Sequence, residues 1–204
     1  SKMETVNSTM EIVHPIVREC LKYMNITQGL EIHHDADLPA RAGLGSSSSF
    51  TVGLLHALCA LRNHKGIDKK RLALEAIKIE QDYVKDTVGC QDQILAASGG
   101  FMKIFFHSNG QVKRTNFTSP YIKDLQENLM LFFTGFTRDA SAIEADKVSN
   151  FPAKEKELNK LMDMVDIASS LLRDGRLEEF GTLLHESWLI KRSLSNQVSN
   201  PEID

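Results

Sequence analysis

The chain has 204 residues, 42% of them hydrophobic and 25% charged, enough for one good core or two small ones in an ordinary globular protein. Its 24 basic and 27 acidic side chains leave a formal charge of −3 with no basic stripe, which speaks against a general nucleic-acid or membrane-surface binder. No run approaches the ~18 apolar residues of a membrane span, and the three cysteines, Cys20, Cys59 and Cys90, lack CxxC spacing. Reduced core thiols and a cytoplasmic location are therefore expected.

In chain order, "MEIVHPIVRECLKYM" spaces Ile12, Ile16, Cys20 and Tyr23 as a helix would, with Pro15 near its start. "GLEIHHDADLP" alternates like a strand, Leu30 and Ile32 sharing one face. After the loop "LPARAGLGSSSSF", the segment "FTVGLLHALCALRN" predicts a mostly buried helix, with His56 a satisfied core histidine. Asp68 can cap the next helix, whose stripe is Leu72, Ala76, Ile79 and Tyr83. A short helix "CQDQILAAS" stops at Gly99-Gly100. "FMKIFF" and "QVKRTNF" flank Asn109-Gly110 as a hairpin, and "NLMLFFTG" predicts another buried strand. From about Phe151 two helical stripes flank Gly175, one of Leu158, Leu161, Val165, Ala168 and Leu172 and one of Leu177, Phe180, Leu184 and Trp188, as in an αα-hairpin. The class is α+β, with a subdomain boundary near Ser119-Pro120.

The loop carries the chemistry. Gly43-Leu44-Gly45 followed by Ser46 to Ser49 stands directly before a helix. Glycines let an anion approach the main chain, the helix N-terminus offers unpaired N–H groups, and serine hydroxyls can donate or ligate magnesium. Those are the parts of a phosphate cradle. They are equally the parts of a glycine turn with a helix cap, and spacing alone does not name the ligand. The run from Pro39 through Arg41, Ala42, Gly43, Leu44, Gly45, Ser46 and Ser47 to Ser48 resembles the P-x-x-x-G-L-G-S-S-[AST] signature of the GHMP small-molecule kinases. The resemblance implies that these residues wrap the phosphates of ATP and that Ser47 ligates Mg²⁺.

Two acids extend the likeness. "IEQDYVKDTVGCQDQILAASGGFMKI" resembles the segment in which these kinases carry a Mg²⁺-binding glutamate and, about a dozen residues on, a catalytic aspartate; here these are Glu80 and Asp92. Whether Asp92 removes a sugar hydroxyl's proton or steers the hydroxyl electrostatically stays open. Arg138 could contact a phosphate through its bidentate fork, or be a surface charge. The "VG-x-QDQ…GGF" form, "LFFTGFTRDAS" and the stretch 183–204 are most similar to the D-glycero-D-manno-heptose 7-phosphate kinase branch, with fucose kinases nearby.

The resemblance implies a two-domain GHMP kinase fold. Residues 1–118 would be a partial β-α-β nucleotide-binding domain, and 119–204 the start of a ferredoxin-like C-terminal domain. The family's Gly-Gly-Gly-Thr-Asp loop and its C-terminal glycine-rich motif have no counterpart between Ser1 and Asp204, so a partial kinase is expected. The expected reaction is ATP- and Mg²⁺-dependent phosphorylation of a sugar or sugar phosphate, heptose 7-phosphate first. Fucose, galactose or mevalonate kinases, or a non-catalytic sugar and ATP sensor, are the alternatives. ATP and the sugar are the expected partners, with no nucleic acid or membrane, and homodimerisation is left open. Adjacent His33, His34 and Asp35 on a strand would point to opposite faces, against a metal site there.

Overall fold

The computed structural model describes residues 3–37, 43–62, 67–135 and 151–203. They fall into two compact units, one running up to Gly100 and the other starting at Phe101.

The first unit is helical. Helix α1, Pro15–Tyr23, starts on its proline, where a missing N–H costs nothing and the fixed φ suits the helix. Ile16, Cys20 and Leu21 make its buried face. Helix α2, Ser46–Leu61, packs on α1, on α3 (Lys69–Lys78) and on α4 (Gln91–Ser98), burying Val52, Leu54, Leu55, Leu58 and Cys59. Its apolar composition predicts burial all round, but Gly53, His56, Ala57 and Ala60 form an exposed side. His56 is thus not a core histidine, because these helices cover α2 on one side only.

The Asp68 carboxylate accepts from the Arg71 N–H at 3.0 Å, capping α3 as expected. The stripe below it holds for Leu72, Ala76 and Ile79, while Tyr83 is 40% exposed. The helix does not stop at Lys78 but widens into a π-helical turn, Ile79–Val84, which Lys85 ends in the left-handed region at φ 65°.

In the second unit β1, Met102–Phe106, pairs antiparallel with β2, Val112–Asn116, in a register that sets Met102 opposite Asn116 and Phe106 opposite Val112. The predicted Asn-Gly turn closes it, Gly110 taking φ 80° and donating to the His107 carbonyl at 2.9 Å. A short helix α5, Ile122–Glu127, follows. Helices α6, Glu155–Asp174, and α7, Leu177–Leu194, form the expected αα-hairpin. Gly175 joins them at φ 72°, where a Cβ would sit 2.8 Å from the Tyr121 ring. The inward face of α6 runs through Met164, Ser169, Leu171 and Leu172, whereas Val165, expected in the stripe, is 45% exposed.

Mixed helices with a small two-stranded sheet agree with the α+β expectation. Two expected strands take another form. Residues 29–36 join no ladder among the described residues, and Leu30 and Ile32 are each 38% exposed. "NLMLFFTG" is likewise unpaired over 129–134, with Met130, Leu131 and Phe132 more than 70% exposed. Alternation and apolarity prepare a segment for a sheet, but a strand exists only where a neighbour completes its hydrogen bonds.

Candidate active site

The glycine-serine loop ends in two left-handed residues, Gly43 at φ 77° and Gly45 at φ 68°, conformations that residues with a Cβ rarely adopt. Gly45 is the N-cap of α2, and no side chain caps the helix. The Ser49 N–H donates to the Gly45 carbonyl at 2.9 Å, as the first bond of the helix. The amides of Ser46, Ser47 and Ser48 are left without an intrahelical acceptor, at the positive end of the helix dipole.

The serines divide by helical geometry. Ser46, Ser47 and Ser49 are exposed, whereas Ser48 is buried, on the same face as Thr51, Val52 and Leu55. Ser48 and Thr51 thereby aim two hydroxyls inward at Glu80, which the π turn holds at 1% exposure. Ser48 Oγ donates to Glu80 Oε2 at 2.9 Å and Thr51 Oγ1 to Oε1 at 2.7 Å. Gln93 Nε2, from the first turn of α4, also donates to Oε2. A buried carboxylate is tolerated only when it is hydrogen-bonded, and here three neutral donors from two other helices bond it. The Cys20 thiol is pushed up to about 12 by burial first and then by the Glu80 and Glu19 carboxylates, so it stays protonated beneath this network.

Asp92 lies one residue before Gln93, on the exposed side of the α4 first turn. A Cβ added to Gly45 would fall 3.0 Å from Asp92 Cγ and Oδ2 and 3.2 Å from its Cβ. The carboxylate of Asp92 therefore rests on the backbone of the loop, beside the uncapped end of α2. Bare amides, serine hydroxyls and an adjacent carboxylate are what a phosphorylated ligand and a reacting hydroxyl require.

Of the residues expected at the site, Gly43, Leu44, Gly45, Ser46, Ser47, Ser48, Glu80 and Asp92 are described, while Pro39, Arg41, Ala42 and Arg138 lie outside the described residues. Ser48 bonds Glu80, and the Ser47 carbonyl accepts from Thr51 Oγ1 at 3.0 Å. Thr51 and Gln93 are additions that the sequence reading missed. Their signal was present: two hydroxyls three residues apart on an apolar helix face, and a second polar residue beside Asp92. His33 pairs with Glu31 at 2.8 Å on the surface, and no group of three or more His, Cys, Asp or Glu suited to a metal occurs among the described residues. No helix among them is long and apolar enough to cross a membrane.

The donor set nevertheless fits a hard cation that keeps much of its water. Glu80, Asp92 and the Ser46 and Ser47 hydroxyls supply oxygen atoms alone, and the Gln93 amide oxygen is buried without a hydrogen-bond partner. A cavity of about 400 Å³ bordered by Val52, His56, Lys69 and Leu72 lies apart from this chemistry, since Gly45, Glu80 and Asp92 do not line it.

Comparison with known proteins gives the arrangement a context. Residues 11–100 match the GHMP kinases N terminal domain. The chain is 31% identical over 182 residues to D-glycero-alpha-D-manno-heptose 7-phosphate kinase of Campylobacter jejuni, covering 85% of this chain and 52% of that protein. It is 29% identical over 192 residues to L-fucokinase/L-fucose-1-P guanylyltransferase of Bacteroides fragilis, covering 86% and 19%. With galactokinase of Pyrococcus furiosus it shares 31% identity over 147 residues, 65% of this chain and 40% of the other. The chain thus spans about half or less of the length of these curated relatives.

Proposed function

The chain belongs to the GHMP kinase superfamily, and on that premise we propose that the protein transfers the γ-phosphoryl group of ATP to a hydroxyl of a sugar or sugar phosphate. D-glycero-D-manno-heptose 7-phosphate, taken to the 1,7-bisphosphate, is the proposed substrate. The observation that carries the reading is the seat of Asp92 on Gly45, at the mouth of an uncapped helix N-terminus. Similarity to a heptose 7-phosphate kinase across 85% of the chain supports the choice of sugar.

In this reading the Gly43 to Ser48 segment holds the phosphates through its amides and the Ser46 and Ser47 hydroxyls, with Pro39, Arg41 and Ala42 completing the loop. Residues 1–118 are the proposed nucleotide-binding domain and 119–204 the beginning of the second. Ser47 and Glu80 hold Mg²⁺, which when bound offsets the negative charge of the phosphate oxygens. Ser48, Thr51 and Gln93 keep the Glu80 carboxylate in one orientation. Asp92 accepts the hydrogen bond, or the proton, of the sugar hydroxyl whose oxygen forms the new P–O bond as the bond to ADP breaks. Arg138 is proposed to contact a phosphate.

The test is turnover of the full-length protein with ATP and Mg²⁺ on heptose 7-phosphate, fucose, galactose and mevalonate, with the product read by ³¹P NMR. The expected result is the highest kcat/KM on heptose 7-phosphate and a new anomeric phosphate resonance. ATP binding without turnover on any acceptor would overturn the reading in favour of a sugar and ATP sensor.

A further inference from the structure

Gln93 is 1% exposed, and its amide divides into two unequal halves. The nitrogen faces Glu80 Oε2, the only orientation a carboxylate acceptor permits. The oxygen of the same amide is buried with no partner among the described residues, the one such side-chain atom there. A buried amide oxygen is costly to leave unpaired, and native structures seldom do so without reason. If the residue served only to brace Glu80 from a neighbouring helix, a hydroxyl would suffice, as at Ser48 and Thr51. The groups that share its network are Glu80, the Ser48 and Thr51 hydroxyls bonded to that carboxylate and, on the same helical turn, Asp92. An additional acceptor in such surroundings calls for a donor of positive character. Water in the shell of a divalent cation has that character, since the ion polarises its O–H bonds.

We propose that Gln93 is a positioning residue of the cation site, its amide nitrogen orienting Glu80 and its amide oxygen accepting a hydrogen bond from a water of the hydrated Mg²⁺. The proposal rests on the phosphoryl-transfer reading above and adds to it a role for a residue that the resemblance left without one. Because Gln93 adjoins Asp92 on the first turn of α4, it also links cation binding to the placement of the carboxylate that meets the substrate hydroxyl.

Two variants of the full-length protein separate the two halves of the amide. Gln93→Met retains the side-chain length and removes donor and acceptor. Gln93→Glu retains an oxygen at the acceptor position and removes the donor. Mn²⁺ replaces Mg²⁺ and is titrated beside a non-hydrolysable ATP analogue, bound metal being read from the loss of the free-Mn²⁺ EPR signal at pH 8. Far-UV circular dichroism checks the fold of each variant. Gln93→Met is expected to weaken Mn²⁺ binding roughly 10- to 100-fold, the effect of removing an outer-sphere partner, with Gln93→Glu, which loses only the contact to Glu80, retaining more of the affinity than Gln93→Met. Equal loss in the two variants would overturn the proposal by leaving only the contact to Glu80. Wild-type affinity in Gln93→Met would overturn it as well. If Gln93→Met does not fold, Gln93→Glu decides alone, and a loss beyond about tenfold there contradicts the proposal. Wild-type protein that takes up no Mn²⁺ beside the analogue would instead overturn the kinase reading on which this one stands.

Discussion

Gly45 has two jobs that one methyl group would spoil. Its φ of 68° lies where a residue with a Cβ is strained by about 1–2 kcal/mol, and the space beyond its Cα is taken by Asp92. Gly43 shares the left-handed backbone but has nothing within 4 Å of a Cβ position. The pair therefore separates backbone strain from displacement of the carboxylate. In the full-length enzyme Gly43→Ala should show strain alone. Gly45→Ala should lower kcat/KM for ATP about tenfold further, as expected of a catalytic group shifted by a fraction of an ångström. Steady-state kinetics on the two variants checks this; equal losses would detach Asp92 from the loop's function. Glu80 was legible at this scale through the resemblance of its segment, but its partners were not. Which of four consecutive serines turns inward depends on where α2 begins, and that boundary is set by Gly45 adopting the left-handed conformation rather than by serine chemistry.

Elements with strong terminal signals were read well from sequence. Pro15 opens α1, Asp68 caps α3, Asn109-Gly110 closes the hairpin and Gly175 separates α6 from α7, each through local backbone chemistry that needs no distant partner. The π turn at Ile79–Val84 carries no such signal, although it places Glu80. Within α1, buried Glu19 accepts from Arg18 at 3.0 Å and from Lys22 at 2.8 Å. The Lys22 hydrogen bond, opposed by burial and helped by Arg18, holds its carboxyl below the usual 4.5. A lowered folded pKa means stability that is present above the unfolded value and lost as pH falls through the folded one. Wild type should therefore unfold at a higher temperature than Glu19→Gln at pH 7, by an amount worth about 1 kcal/mol, with the gap closing below pH 4.5. Thermal melts from pH 7 to pH 3 test this, and a gap independent of pH would contradict it.

For the whole molecule, the helices and the hairpin were legible because their hydrogen bonds are local, and the remaining strands were not because theirs are not. Leu30 and Ile32 alternate, and residues 129–133 are uniformly apolar, yet among the described residues neither segment meets a strand to pair with. Periodicity reports which face a strand would bury, and is silent on whether a neighbour arrives. The candidate site escaped that difficulty in part. Its loop, Glu80 and Asp92 are carried by helices that pack without a sheet, α2, the extension of α3, and α4. The central claim is that this helical cluster performs phosphoryl transfer, with Asp92 meeting the acceptor hydroxyl. It is tested most directly by Asp92→Asn in the full-length enzyme, measuring kcat on the sugar substrate and, separately, ATP affinity at equilibrium. The account predicts a fall in kcat of roughly 100-fold or more with ATP affinity little changed. Turnover near that of wild type would contradict it.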